Sequence, residues 1–462
     1  MSWVDAEFET VNLGDQRLNR RAVYIVEELG LAPGRTIPQT FQSWGEIKAC
    51  YNFFDNALVS DEKLLAPHKE KTIERIQEYP VVLLPSDTSE IDFTAKQAMV
   101  GRERLTNKHK KGLWLHATIA VTPDRLTLGI IDANFWNRDP EKADDSRANL
   151  TARDKAPIEE KESYRWLQSY REACEIARAA PNTRIINITD REGDIIEIFE
   201  EAQEQAKQAL YANFIIRSQY DRRVEEMGPK SKKIYKKLRD KLREASSLGE
   251  IEFTIPSTEK RKGRKVTQDL KAVSITLKPK HKKFRVQVNA VMAMEKNPPE
   301  GEDPLNWIFL TDLPIDTFEN LIQVIKYYLC RWEIELFFKV LKSGCKIEER
   351  QLQTTERMKA LLAIFMVLSW RVMFTMMLGR VCSEMSAGDL FEASEWKSVY
   401  KILNKKKALP RKPPKLSEFI IMVATLGGYV EQKGGEPPGV KTMWKGMARM
   451  VDFSIAWEAF GG

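Results

Sequence analysis

Cysteine and histidine are scarce in this chain. Its 462 residues hold five cysteines (Cys50, Cys174, Cys330, Cys345 and Cys382) and four histidines, scattered along the length. No C-x-x-C occurs, which argues against a zinc ribbon or a disulfide-stapled secreted fold. The segment Met1–Thr10 is acidic and has no long apolar run, so no secretory signal is expected. Internal repeats are absent, as is low-complexity sequence beyond one lysine-rich patch. Neither charge sign dominates: 73 Lys and Arg against 66 Asp and Glu leave a net charge of +7, which cannot by itself establish a nucleic-acid partner. The expected setting is soluble, reducing and cytoplasmic. What the chain does have is 43% hydrophobic residues, enough to bury large cores and to exclude wholesale disorder. At roughly 100–200 residues per domain, its length suggests about three domains.

One apolar run, Ala360 to Leu378, approaches the length of a membrane span. Arg371 sits near its middle, at a cost of about 2.5–3.5 kcal/mol on an insertion scale. A buried core or oligomer helix is the expectation, with no membrane. Basic residues cluster in three places: Arg217–Arg243, Lys260–Arg285 and Lys401–Lys415. Clustered cations suit either solvated loops or phosphate contacts.

The first 70 or so residues read as short helices. Leu18, Ala22, Ile25, Val26 and Leu29 recur at helical spacing beside Arg17, Arg20 and Arg21, and Pro33-Gly34 breaks the pattern. A second helical stretch covers about Trp44 to Phe54. From Val81 the pattern turns to strands. A short run ends in Pro85-Ser86-Asp87-Thr88, and a hairpin follows over Leu113–Val121 and Leu126–Ala133. Next come a helix (Glu159–Ala180), a strand (Arg184–Thr189), a helix and another strand (Phe214–Ile216). Three strands, helix, strand, helix, strand predicts an α/β mixed sheet with helices on both faces, consistent with a ribonuclease-H-like core. Further strands at Ile251–Ile255, Ala272–Leu277, Phe284–Met292 and Trp307–Thr311 read as a β-rich insertion. A long helix from about Thr317 to Ser343, the apolar helix and an α-rich tail complete the chain.

Three acids stand out by position. Asp87 follows the first strand and Asp190 the fourth, at strand ends that a mixed sheet can bring together. A lone acid there is more often a turn or cap residue. Glu335 lies on the long helix, where Tyr328, Arg331, Glu335, Lys339 and Lys342 share one face at 3.6 residues per turn. The same face could hold ordinary salt bridges worth about 0.3–0.5 kcal/mol each. Three carboxylates together suit two divalent cations about 4 Å apart, because such cations require hard oxygen ligands.

With these residues in place the chain resembles the bacterial D-D-E cut-and-paste transposases of the Tn-five type, within the insertion-sequence-four family. The likeness rests on Tyr328, Arg331, Glu335 and Lys342, on Leu84-Pro-Ser-Asp87-Thr88-Ser89, and on Asp190-Arg-Glu-Gly-Asp194. It extends to Leu13-Gly14-Asp15-Gln16-Arg17, Lys161–Trp166, Gly301–Trp307, Leu426–Tyr429 and Trp444. Glu333, Phe338 and Asn52 depart from the family pattern and bear on DNA contacts rather than on the acids.

The resemblance implies a helical DNA-binding domain over residues 1–70. It implies a ribonuclease-H-like catalytic domain over 71–357, with its β-rich insertion at about 240–312, and an α-helical dimerisation domain over 358–462. Asp87, Asp190 and Glu335 would hold two Mg2+ ions, for which Mn2+ could substitute. Tyr328, Arg331, Lys339, Lys342, Arg217, Arg21, Arg17 and Arg350 would contact DNA, and Trp307 would stack on a base flipped out during hairpin formation. The partners would be double-stranded DNA, as transposon ends and target, and a second copy of the chain, in a bacterial, nucleoid-associated setting. Two other readings stay open: a ribonuclease-H-like nuclease without strand transfer, and a catalytically silent DNA-binding derivative.

Overall fold

The computed structural model describes residues 2–460 apart from 32, 42, 138–155, 228–232, 256, 258–261, 279–283 and 433–434. The chain forms two compact units. One is built from Met1–Ile76, Thr88–Asp145 and Glu333–Gly462, the other from Gln77–Asp87 and Ser146–Trp332.

The strands are β1 (Val81–Asp92), β2 (Glu103–Arg104), β3 (Lys111–Val121), β4 (Thr127–Trp136), β5 (Arg184–Thr189) and β6 (Asn213–Arg217). They continue with β7 (Arg223–Met227), β8 (Lys233–Lys237), β9 (Ser247–Ile255), β10 (Arg264–Leu277), β11 (Val286–Glu295) and β12 (Asn306–Thr311). In the second unit the inner part of β1 pairs in parallel with β5, and β5 in parallel with β6. From β6 the sheet continues through β12, β11, β10, β7 and β8, every pair antiparallel, with β9 on β10. The result is a mixed, mostly antiparallel open sheet. Alternation along β6 shows how it is covered. Phe214 meets Phe199 and Tyr170 on two helices, at ring distances of 5.6 and 6.4 Å. Its neighbour Ile215 packs in a core with Leu83, Ile186, Ile188 and Phe309 and with Leu321, Val324, Ile325 and Tyr328 of the helix Phe318–Leu329.

The first unit is helical around the hairpin β3–β4. Its N-terminal helix Gln16–Leu31 buries Ala22, Ile25, Val26 and Leu29, which follows from their helical spacing. The helix Thr355–Val381 is apolar on all sides and long enough to cross a membrane, yet 89% of its most apolar window is buried inside the protein. Trp370 on this helix donates from Nε1 to the Thr127 carbonyl at 2.8 Å. Arg371, buried and with its guanidinium over the Trp3 ring, donates to the Leu390 carbonyl at 3.2 Å. Burial pushes Arg371 down to about 10. The helices Ala393–Leu403, Leu416–Leu426 and Val440–Phe460 complete the unit. Gly446 packs against the Val423 carbonyl and Gly427 against that of Thr442, so a side chain at either position would strike backbone.

The structure revises four expectations. The first strand does not stop before Asp87; β1 continues to Asp92, with Ile91 buried, so Asp87 lies within a strand. The helix expected over Glu159–Ala180 begins only at Tyr164, after a single 3-10 turn at Ile158–Glu160. The helix expected over Thr317–Ser343 is broken. Phe318–Leu329 ends in a tightened turn, where the Cys330 and Arg331 amides reach back only three residues, to the Tyr327 and Tyr328 carbonyls. Trp332–Lys339 then leads into a π turn, Val340–Gly344, closed by the Cys345 amide on the Val340 carbonyl at 3.0 Å. The turn and the π segment each shift the helical phase, so the five residues of the expected stripe do not lie on one regular face. Finally, β7 and β8 form strands in a charge-rich stretch that reads as loop; they end the sheet, with β8 at its edge, where few apolar residues are needed.

Candidate functional site

β1 and β5 run parallel, with Val81 opposite Arg184 and Pro85 opposite Ile188. The same register continued by two residues sets Asp87 level with Asp190. Asn187, fully buried, donates to the Leu84 carbonyl at 3.5 Å and ties the two strands just below them. Asp190 closes β5 and accepts from the Glu192 amide at 2.8 Å, capping the 3-10 turn Arg191–Gly193. Asp87 accepts from Arg331 Nη1 at 3.1 Å, and both side chains are largely buried. That bond coincides with the turn at Cys330–Arg331, where the chain passes between two helices.

Tyr328 stands beside them. Its ring lies 4.5 Å from that of Phe309 and 5.9 Å from the Arg331 guanidinium, and its hydroxyl is buried beside Arg217. Burial pushes the phenol up, against the pull of the Arg331 and Arg217 charges. Arg217 ends β6 opposite Phe309. The second unit thus gathers two aspartates, two arginines and a tyrosine around the end of its parallel strands. The loop after Arg217 is fixed by Asp194, whose fully buried carboxylate accepts from the Gln219 and Tyr220 amides at 2.7 and 3.0 Å and from Arg222 Nε at 2.9 Å. Asp194 was visible only as the last residue of the Asp190–Asp194 motif; no feature of the sequence marks it as the loop's anchor.

The remaining candidates divide by exposure. Trp307 is half-buried on β12 and stacked on Phe253 at 6.2 Å with an 18° interplanar angle. In the first unit, Glu335 is half-buried and Lys339 exposed on the short helix Trp332–Lys339. Lys342 lies in the π turn; burial pushes its ammonium down, opposed by Glu348, Glu90 and Asp92. Arg17 is 90% exposed and pairs with Asp15 at 3.2 Å. Arg21 lies over the Tyr24 ring at 5.7 Å. Arg350 is different. It is 3% exposed and donates to the Arg35, Pro33 and Cys345 carbonyls, so its guanidinium is engaged with the protein's own backbone. Two departures from the family pattern also point inward: Glu333 pairs with Arg125 at 3.3 Å in the first unit, and Phe338 is buried.

Among the described residues, no group of three or more His, Cys, Asp or Glu is gathered closely enough to hold a metal ion. Asp87 and Asp190 nevertheless match a hard divalent cation in donor type and in their common level on adjacent strands.

Comparison with known families matches residues 1–59 to a transposase DNA-binding model and residues 367–457 to the transposase Tn5 dimerisation domain. The two matches lie at opposite ends of the chain, and Asp87, Asp190 and Glu335 all fall between them.

Proposed function

We propose that this chain, a transposase of the Tn5 type by its two terminal domains, cuts transposon ends from flanking DNA and joins their 3′-hydroxyls to a target, using Asp87, Asp190 and Glu335 as its acidic centre. The observation that carries the reading is the parallel pairing of β1 and β5, whose register, continued two residues past Pro85 and Ile188, aligns Asp87 with Asp190, together with the bond from Arg331 to Asp87. The chain order supports a ribonuclease-H-like core: one strand, an antiparallel hairpin, then helix, strand, helix, strand. Glu335 follows Arg331 by four residues and supplies the third acid of the family pattern.

Each residue has a physical task in this reading. Mg2+ bound by the acids would polarise the scissile phosphate and lower the pKa of a bound water. Arg331 holds the Asp87 carboxylate in one orientation and brings a fixed positive charge to the place where a phosphate would lie. Arg217 adds a second cation to the same strand ends, and the buried Tyr328 hydroxyl offers one more donor. Trp307 would receive an extruded base by stacking as the freed 3′-hydroxyl attacks the opposite strand to form a hairpin. End cutting, hairpin formation, hairpin opening and joining are all in-line phosphoryl transfers, so one set of residues can serve all four. Two copies joined through the dimerisation domain would hold the two ends together.

The test is full-length protein with DNA carrying its ends and with magnesium. Glu335→Ala, Asp87→Asn and Asp190→Asn should each abolish end release while end binding persists. Normal release by any one of them removes that residue from the centre. Strand-transfer products separate this reading from a plain nuclease.

A further inference from the structure

The proposed chemistry makes no use of the basic stretch Lys401–Lys415. It contains Lys401, Lys405, Lys406, Lys407, Arg411, Lys412 and Lys415 and no acid. The whole chain has 73 basic and 66 acidic residues, so without this stretch the two signs balance at 66 each. The chain's entire net charge is therefore equivalent to one fifteen-residue segment, which lies inside the matched dimerisation domain.

The segment is held in place. It begins in the last turn of the helix Ala393–Leu403 and continues to the helix Leu416–Leu426. The Lys407 amide closes a turn on the Asn404 carbonyl at 2.8 Å. The Ala387 amide donates to the Pro414 carbonyl at 2.9 Å, the Leu416 amide to the Met385 carbonyl at 2.6 Å, and Ser386 bridges to Lys415. Pro410, Pro413 and Pro414 restrict the backbone between them. Lys405, Lys406, Lys407, Arg411 and Lys412 are exposed. Among the described residues the segment makes one ion pair, Lys415 with Glu384 at 2.6 Å. Like charges crowded on a pinned backbone repel one another, and a regularly spaced polyanion relieves that repulsion while releasing its own counterions.

The composition selects the polyanion. The segment has no aromatic residue, so it lacks the stacking platform for a single strand and the anchors for a membrane surface. Its one amide side chain, Asn404, donates to the Tyr400 carbonyl at 3.2 Å and is not presented to bases. Lysines on a fixed loop contact phosphates without reading sequence. We infer that Lys401–Lys415 is a second, sequence-independent surface for duplex DNA, placed on the dimerisation domain and gripping DNA other than the recognised ends. The role in joining rests on the transposase reading above; the DNA surface itself does not.

The experiment uses full-length protein and a random-sequence duplex lacking transposon ends, titrated over a range of salt. Lys405→Glu/Lys406→Glu/Lys407→Glu should weaken binding and flatten the slope of log affinity against log salt by about 2 to 3, at about 0.9 per phosphate contact. A control with the same charge change outside the basic clusters, Lys207→Glu/Lys296→Glu/Lys441→Glu, should keep the wild-type slope. Joining of pre-cut ends to plasmid DNA should fall about tenfold or more in the first variant alone. A slope equal to wild type, or a loss equal to the control's, overturns the surface. If the slope flattens but the wild type joins no ends, the surface stands and the transposase reading falls.

Discussion

Arg331 donates to Asp87 across 244 positions of sequence, Nη1 to Oδ2 at 3.1 Å, at the point where the chain breaks between two helices. The bond joins a residue of the candidate acid pair to a residue of the family's helical pattern. Arg331→Ala should lower single-turnover end cleavage by about 100-fold or more, the usual cost of one preorganised donor at a phosphoryl or acyl centre. Arg331→Lys should recover only part of this, since an ammonium cannot hold a carboxylate and a phosphate in one plane. Full cleavage by the alanine variant would show that the bond is architectural.

Trp307 already has a stacking partner in Phe253. An extruded base must therefore compete with, or extend, an existing aromatic pair. For Trp307→Ala we expect first-strand nicking at the wild-type rate and hairpin yield reduced by about 5- to 150-fold, from about 1–3 kcal/mol of stacking per base. Unchanged hairpins on a denaturing gel would exclude Trp307 from that step.

Arg350 gives the opposite expectation. Removing it strands three carbonyls, of which that of Cys345 is bonded at 2.7 Å. Arg350→Ala should destabilise the protein by about 2–4 kcal/mol in denaturant unfolding. The salt dependence of its end binding should stay unchanged, and a slope reduced by about 1 would make Arg350 a phosphate contact after all.

In the first unit, Glu7 bonds His68 Nδ1 at 2.5 Å and Arg75 at 2.9 Å, and His68 Nε2 accepts from the Ile130 amide at 2.9 Å. His68 is thus a neutral imidazole with its proton on Nδ1. Burial pushes it below its ordinary value, against the pull of Glu7. Burial pushes Glu7 up, but the bonds from His68 and Arg75 outweigh this and hold it at about 2. Both groups contribute stability at neutral pH. The His68 part is lost as pH falls below about 6.5, where the unfolded chain takes up the proton, and the Glu7 part as pH falls from about 4.5 towards 2. Denaturant unfolding from pH 7.5 to 4 should show steadily falling stability, with a shallower fall between 7 and 5 in His68→Gln. An identical profile in that variant would rule His68 out.

Much of the fold is legible without coordinates. The strand Arg184–Thr189 can be bounded to the residue, because an arginine and an aspartate bracket an apolar run. The helix around Ile25 and Leu29 follows from its spacing, and the hairpin β3–β4 from Pro123-Asp124 between two β-type runs. The charged strands β7 and β8 at the end of the sheet are not legible, since their pairing comes from backbone groups that carry no residue signature. The helix break at Cys330–Arg331 is not legible either: neither Gly nor Pro marks it, and the residue that Arg331 bonds there, Asp87, is 244 positions away.

By itself the sequence determined the order of the elements, the presence and spacing of the acids, and the concentration of its net charge in one segment. These are properties of local pattern and composition. Tertiary structure decided which of several similar residues faces which task. Asp190 and Asp194 share one motif, yet one ends a strand beside Asp87 and the other is sealed under a loop. Glu333 and Glu335 are two residues apart, yet Glu333 is buried against Arg125 while Glu335 is half-exposed. Arg17 and Arg350 carry the same charge, yet one stands in solvent and the other binds backbone carbonyls. A charged group takes its role from what surrounds it, and those surroundings are assembled from residues hundreds of positions away.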